Sequence, residues 1–463
     1  MVVMVNLNGI SRRHYDFNTY ILCFFLFMLP SGLAFSGTSD GSGISRQQAR
    51  DNLPSSSDTL FYAVKAGNIN MVRDLIARGT NLNVRDDVGW TPLDYAKKRD
   101  KPAIRELLEQ NGAITYPKSI QSMNEGPHVR ILDDKNVEVL FLSHDVLTNK
   151  SELKRDSYQI GNTPLLIERI EIGREDLNPG SEMAIPTASF RGVREVFVIG
   201  DIHGEYSKVV PLLKNNGIVD DNSDWIWGKG HLVFMGDIFD RGNGVTEALW
   251  MIFNLEKQAE AAGGKVHLLL GNHEPMIFED DFRYLADDYY SLCENLGLNY
   301  SELFNYDTVL GLWLRQKPVI LSINNYLFVH AGLSPEMIER SLPLDTINRV
   351  VWRYLNNNER KDDAEIRDLL LGGRGILWYR GLINEEGRKD VIDESTLKSG
   401  LDFYNARALI VGHTEVDSIK SFFKGKVIDV NIPKRDPKIP DQGLLIRKGR
   451  LWVVYDNRER KKL

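Results

Sequence analysis

Five short apolar runs, each stopping at glycine or at a polar residue that metal ions accept as a ligand, constrain this chain more than any other feature. Residues 196–199 lead into Gly200-Asp201-Ile202-His203-Gly204, and residues 232–235 into Gly236-Asp237-Ile238-Phe239-Asp240-Arg241-Gly242. Residues 266–270 lead into Gly271-Asn272-His273-Glu274, 326–329 into His330-Ala331-Gly332-Leu333, and 408–411 into Gly412-His413-Thr414. Continuous apolar runs of this length suit strands buried on both faces, and their carboxyl ends are where open α/β sheets hold ligands. Helical patterns over residues 206–215 and 246–262 separate the first three, so the order is β-α-β-α-β.

Asp201 and His203 are two residues apart, so near-extended backbone aims both the same way while Ile202 points back into the core. The flanking glycines let the backbone approach a metal or phosphate closely. One histidine beside a strand is usually structural. Here four of the nine histidines, His203, His273, His330 and His413, fall at or just after such ends. The two cysteines, Cys23 and Cys293, form no CxxC pair, which removes zinc-finger and thioredoxin readings. A donor set of oxygen and nitrogen without thiolate suits Mn, Fe or Zn.

In this order the five motifs resemble the metallophosphoesterase (calcineurin-like) superfamily, and within it the phosphoprotein phosphatases, over about residues 194–455. Asp240-Arg241-Gly242 and Asn272-His273-Glu274 look like protein phosphatases more than dinucleoside tetraphosphate hydrolases. Asp281-Phe282-Arg283-Tyr284, Leu312-Trp313-Leu314-Arg315, Trp378-Tyr379-Arg380-Gly381 and Gly443-Leu444-Leu445-Ile446 are similar to the Shewanella-like bacterial-type branch. The Ser-Asp-Pro segment of the eukaryotic enzymes is absent, and Ala331 stands where many members have glycine; neither departure touches a ligand.

The resemblance implies a four-layer α/β/β/α sandwich with two metal ions, one held by Asp201, His203 and Asp237, the other by Asp237, Asn272, His330 and His413. Asp237 would bridge them. A metal-bridging hydroxide would attack phosphorus directly, without a phosphoenzyme. Arg241 and Arg380 are the candidates to grip phosphate oxygens, because a planar guanidinium donates two parallel hydrogen bonds; Arg380 follows from the Trp-Tyr-Arg-Gly match alone. His273 would protonate the leaving oxygen, with Asp240 fixing its tautomer and favouring its charged form. Asp429 matches a supporting position near the site. The expected function is a two-metal phosphomonoesterase, a protein phosphatase for tyrosine or serine/threonine. The alternatives are a nucleotide or dinucleoside polyphosphate hydrolase, since one fold serves many phosphoesters, and an ankyrin adaptor with an inactive phosphatase domain.

Self-comparison at a shift of 33 pairs Leu60 with Leu93, Ala63 with Ala96, Leu75 with Leu108 and Gly79 with Gly112. That is the ankyrin period. Gly89-Trp90-Thr91-Pro92-Leu93-Asp94-Tyr95-Ala96 resembles the ankyrin turn-into-helix motif, with Trp for the usual small polar residue and Asp-Tyr for His-x. Two repeats, residues 58–113, fall short of the three or so that bury a continuous core. They are therefore expected to dock on the domain C-terminal to them, for stability or as a substrate-binding face, or else to be a structural appendage.

Residues 1–36 read as an export signal: Arg12 and Arg13 precede an apolar run over 20–29, too short to span ~30 Å of hydrocarbon comfortably, with an uncleaved anchor or a buried helix as alternatives. Residues 37–57 look like a flexible linker. The expected location is periplasmic or secreted, or cytoplasmic if the segment is no signal. Residues 114–193 form a β-rich connector with strand-like runs at 129–132, 137–142 and 164–172, in which His128 and His144 read as ordinary surface or core residues. The insertion 275–325 carries Tyr284, Tyr289, Tyr290, Tyr300 and Tyr306, either an aromatic wall for a phosphotyrosine ring or the packing face of a helical cap; Cys293 within it reads as a buried hydrophobe. A net charge of −7 argues against a nucleic-acid binder with a broad basic surface. The expected partners are a phosphorylated protein or peptide as substrate and a protein held by the repeats, with no membrane span in the mature chain.

Overall fold

The computed structural model describes residues 56–85, 90–99, 101–114, 122–177, 188–383 and 390–463, which form one compact unit. The export signal and nearly all of the linker lie outside the described residues, as does Gly89 of the repeat motif.

Helices α1 (Ser56–Lys65), α2 (Ile69–Ala77), α3 (Pro92–Lys98) and α4 (Pro102–Gln110) make the repeat pair. Leu60/Leu93, Ala63/Ala96 and Leu75/Leu108 all pack into one small core, and Gly79 and Gly112 adopt φ of 74° and 82° at helix ends. Asp94 accounts for one departure from the repeat motif. Its carboxylate accepts the Thr91 N–H at 2.8 Å while the Thr91 hydroxyl accepts the Asp94 N–H at 3.2 Å, a reciprocal cap with Pro92 in the first turn.

Strands β1 (Met123–Ile131), β2 (Asn136–Asp145) and β3 (Lys150–Gln159) follow as an antiparallel meander, then a hairpin of β4 (Leu165–Ile167) and β5 (Ile170–Ile172). Residues 164–172 are thus two strands rather than one run, because Glu168 turns the chain at φ 54°. β3 has no counterpart in the apolar pattern: it is an edge strand, exposed along most of its length. His128 bonds Glu125 (2.9 Å) and His144 bonds Ser151 (2.9 Å), so both serve the framework.

The larger domain runs β6 (Ser189–Phe190), β7 (Glu195–Ile199), α5 (Tyr206–Asn215), β8 (His231–Phe234), α6 (Val245–Ala261), β9 (Lys265–Leu268), α7 (His273–Phe278), α8 (Asp287–Leu296) and α9 (Val309–Leu314). It continues through β10 (Ile320–Ile323), β11 (Tyr326–Val329), α10 (Pro335–Arg340), α11 (Leu344–Leu355), α12 (Ala364–Leu371), α13 (Glu394–Phe403) and β12 (Ala408–Val411). β13 (Lys420–Phe422), β14 (Val427–Asp429), β15 (Gln442–Arg447), β16 (Arg450–Tyr455) and β17 (Arg460–Lys462) complete it.

Among the described residues these strands form two six-stranded sheets, ordered β17-β16-β15-β7-β8-β9 and β13-β14-β12-β11-β10-β6. The pleat of β7 explains the layers. Val196 and Val198 join the core shared with β10, β11 and β12, whereas Phe197 and Ile199 face α5 and α6. With α10, α11 and α13 packed on the second sheet, the order is α/β/β/α. The five apolar runs divide between the sheets: β7, β8 and β9 pair in parallel in one, β11 and β12 in the other. Two hydrogen bonds draw their ends together across the layers, from His330 Nδ1 to the Met235 carbonyl (2.8 Å) and from the His413 N–H to Asp201 (3.2 Å).

Candidate metal centre

Each ligand candidate stands in a tight turn at a strand end. His203, Asp237, Asp240, Arg241 and His413 all have φ between 48° and 70°, a left-handed backbone in which Asp and His are among the better-tolerated side chains. Such conformations cluster where surrounding structure enforces them for function. Glycine is required beside two of them: a Cβ on Gly271 would lie 2.1 Å from Asp237 Oδ1, and one on Gly412 2.5 Å from Asp201 Oδ1.

Asp237 is the shared point of the site. Its Oδ2 lies 3.2 Å from His330 Nε2 and 3.7 Å from both His203 Nε2 and His273 Nε2, while its Oδ1 accepts the His273 N–H at 3.0 Å. Ligand atoms of His203, Asp237 and His273 fall within 4.8 Å of one another, as do those of Asp237, His330 and His413. Asn272 Oδ1 is 3.1 Å from His330 Nε2, and Asp201 Oδ2 is 4.0 Å from His203 Nε2. Of the ten site side chains expected from the sequence, Asp201, His203, Asp237, Asp240, Asn272, His273, His330 and His413 are buried and Arg241 and Arg380 partly so.

This donor set fits divalent ions. His203 gives its Nδ1 proton to the Phe239 carbonyl (2.9 Å), which fixes the tautomer that offers Nε2 as a lone pair, and His330 gives its Nδ1 proton to the Met235 carbonyl (2.8 Å), which aims its Nε2 at Asp237. The Nε2 atoms of His203 and His413 are buried without a hydrogen-bond partner, which leaves both available to a metal ion. Burial pushes both imidazoles well below their usual range, keeping them in the neutral form that ligation needs. Burial opposes charge on His330 as well, but Asp237 and Asp201 override it and push that imidazole up to about 9. For Asp237 burial acts upward, and His330, His273 and His203 together hold the carboxyl well below its ordinary value. Burial pushes Asp201 up to about 6.

His273 Nδ1 is 2.5 Å from Asp240 Oδ2. Burial works against the imidazolium, yet Asp237 and Asp240 raise its pKa. Arg241 Nη1 donates to Glu415 at 2.8 Å, and Arg380 Nη1 donates to the His413 carbonyl at 2.9 Å, so both guanidinium groups lie at the rim.

Three residues without an assigned role prove central, Glu274, Asn431 and Glu415, and Tyr284 stands out among the tyrosines of the insertion. Glu274, fully buried, accepts N–H groups of Gly271 (2.6 Å), Ile238 (2.7 Å) and Asp237 (3.1 Å), and burial pushes it up to about 7. It binds the 237 turn to the 271 turn. Asn431 donates from Nδ2 to Asp201 Oδ2 at 2.7 Å, and its own N–H is held by Asp429 at 2.9 Å. The carboxyl of Asp429 is raised well above its ordinary value by burial. Glu415 holds Arg241, and Tyr284 places its ring 5.2 Å from that of His273. Glu274 was visible in its motif; Asn431, two residues after Asp429, was not. Of the tyrosines proposed as a wall, Tyr289 and Tyr300 are core and Tyr306 bonds the Leu355 carbonyl. Tyr284 alone stands beside His273, half-exposed. Cys293 is buried, and burial pushes its thiol up to about 12.

Known proteins resemble both the repeat pair and the larger domain. The model of the calcineurin-like phosphoesterase family matches residues 195–417, and that of ankyrin repeats matches residues 60–113. Shewanella-like protein phosphatase 1 of Plasmodium berghei is 25% identical over 61% of this chain and 77% of its own length. Shewanella-like protein phosphatase 2 of Arabidopsis thaliana is 26% identical over 55% and 75%. The crystal structure of a cold-active protein-tyrosine phosphatase of a psychrophilic Shewanella superposes with a TM-score of 0.63 at 31% identity, covering 74% of this chain and 99% of that one. The chain belongs to the calcineurin-like phosphoesterase family and carries ankyrin repeats ahead of its phosphoesterase domain.

Proposed function

We propose that the chain is a metal-dependent protein phosphatase that accepts phosphotyrosine. The observation that carries the reading is the pair of buried, unpartnered Nε2 atoms on His203 and His413 flanking Asp237, with the His273–Asp240 couple beside them. Asp201, His203 and Asp237 would hold one ion, and Asp237, Asn272, His330 and His413 the other; Mn, Fe and Zn are the candidates. When bound, such ions supply a water of lowered pKa and positive charge against the phosphoryl oxygens.

The chain's own groups do the rest. Arg241, once released by Glu415, and Arg380 orient the phosphoryl group from the rim. Asp240 holds the Nδ1 proton of His273, so Nε2 carries the proton that the leaving oxygen takes. Asp237 fixes the His273 backbone, and Glu274 fixes Asp237. Tyr284 offers a ring face to an aryl leaving group. The repeat pair is a surface for a protein partner. Arg12, Arg13 and the apolar run after them support export to the periplasm or beyond, and no helix among the described residues is long and apolar enough to cross a membrane.

A panel of phosphotyrosine, phosphoserine and phosphothreonine peptides, set against dinucleoside polyphosphates on metal-reconstituted protein, tests the reading. The expected order places phosphotyrosine peptides highest in kcat/KM; faster turnover of the polyphosphates overturns it. N-terminal sequencing of the mature protein tests the export signal.

A further inference from the structure

Trp90 occupies the one ankyrin-motif position where a small polar residue is usual, and it does not join the repeat pair's own core. It is nevertheless only 1% exposed, sandwiched between Tyr95 of its own repeat, ring centroids 5.1 Å apart, and the neighbouring domain. The indole N–H donates to Asp287 Oδ2 at 2.6 Å, and the ring lies 5.9 Å from that of Tyr290. Lys98, 7% exposed, donates to the Leu285 carbonyl at 2.6 Å and pairs with Asp287 Oδ1 at 3.3 Å, its ammonium 4.2 Å from the Trp90 ring. Charge-assisted bonds from a buried ammonium are short and directional, so they fix a backbone more tightly than apolar contact does.

The opposite side of the same segment is bound to the site. Arg241 donates its backbone N–H to the Tyr284 carbonyl at 3.0 Å, and the Tyr284 ring meets His273. Just beyond, Asn243 donates to Asp288 at 2.6 Å, and the Tyr289 hydroxyl donates to the Asn243 carbonyl at 2.6 Å. Residues 284–289 therefore form a bar gripped at one edge by the ankyrin pair and at the other by the loop that carries Asp240 and Arg241.

We infer that Trp90 and Lys98 are positioning residues for the phosphoester site, holding segment 284–287 so that Tyr284 stands against His273 and its carbonyl receives the Arg241 amide. The substrate consequence rests on the phosphotyrosine reading above; the mechanical link does not. Anything that moves the ankyrin pair, a bound partner included, acts on the site through this bar.

The test uses the full-length, metal-loaded protein and its Lys98→Met, Lys98→Arg, Trp90→Phe and Tyr284→Ala variants. In Lys98→Met the Arg241 amide is expected to exchange with solvent about tenfold faster, and KM for a phosphotyrosine peptide to rise about tenfold with metal content unchanged, the scale of coupling between contacting residues. Lys98→Arg, which keeps the charge, restores both, and adding Tyr284→Ala to Lys98→Met costs little more than either alone. Trp90→Phe, which deletes one N–H and keeps the ring, shifts both readouts in the same direction if Lys98→Met fails to fold. Unchanged Arg241 exchange in the folded variants, or KM effects of Lys98→Met and Tyr284→Ala that simply multiply, overturns the inference. Should the wild type turn over no phosphopeptide, the phosphatase reading fails, and the exchange measurement still decides the link.

Discussion

Histidines cluster at the carboxyl ends of strands from both sheets and again on β8 and β9 of one sheet; two of the first cluster, His273 and His330, are raised, and neither of the second is. At the carboxyl ends, His203, His273, His330 and His413 surround Asp201, Asp237 and Asp240. On β8 and β9, His231 and His267 meet each other at 2.9 Å under the ring of Phe190, and the charged neighbours that bear on them are Lys265 and Lys317. Burial pushes His231 down to about 4, whereas the same influence on His330 is overridden by two carboxylates, which push it up to about 9. Residue type is shared and burial pushes both the same way; the acidic neighbours are not shared. A histidine pair among lysines cannot retain a dication, so the carboxylates decide which cluster becomes the chemical one.

The largest expected effect comes from removing the carboxylate that the site's histidines share. Asp237→Asn should lose both ions and reduce turnover to background, read by metal analysis beside phosphatase rates; two retained ions with full turnover would break the contrast. Next, His273→Ala should slow phosphoserine hydrolysis by about 10²–10⁴-fold, the usual worth of a positioned acid. Aryl phosphates should suffer far less, because a phenolate with a parent pKa of ~10 leaves without much help. Equal losses on both substrates count against His273 as the proton donor.

Asn431→Ala sharpens the comparison from outside the ligand set. It frees Asp201 Oδ2 from its 2.7 Å bond and should weaken metal affinity, read by competition with a chelator, by about 10–100-fold, as loss of a ligand's supporting partner does. Unchanged affinity would make that bond purely architectural. The smallest effect belongs to the other cluster. His231 stays neutral when folded down to about 4, below the ordinary ~6.5, so between these values the unfolded chain binds more protons and stability falls as pH drops. His231→Gln should flatten that fall in melting temperature while leaving metal content alone; an identical pH profile would remove His231 from the acid response.

The carboxyl-end cluster was legible because each ligand directly follows an apolar run, so local pattern and chemistry coincide at Asp201, Asp237, Asn272, His330 and His413. What escaped reading depends on contacts distant in sequence. Asn431 reaches Asp201 across 230 residues, and Trp90 reaches Asp287 across 197. In the motif Trp90 appeared as a mere departure; its reason lies in another domain. β3 escaped for a different cause, since a solvated edge strand needs no apolar alternation and leaves none in its sequence.

The left-handed turns under His203, Asp237, Asp240 and His413 bear on how this site can change over generations. Backbone of that shape favours Asn, Asp, His and Gly among all residues, and three of those four types are themselves metal donors. Exchanges among Asp, Asn and His at these positions are therefore mild for the backbone even where, as at Asp237, they cost the site its ions. The site can thus lose its chemistry over generations while the scaffold stays put.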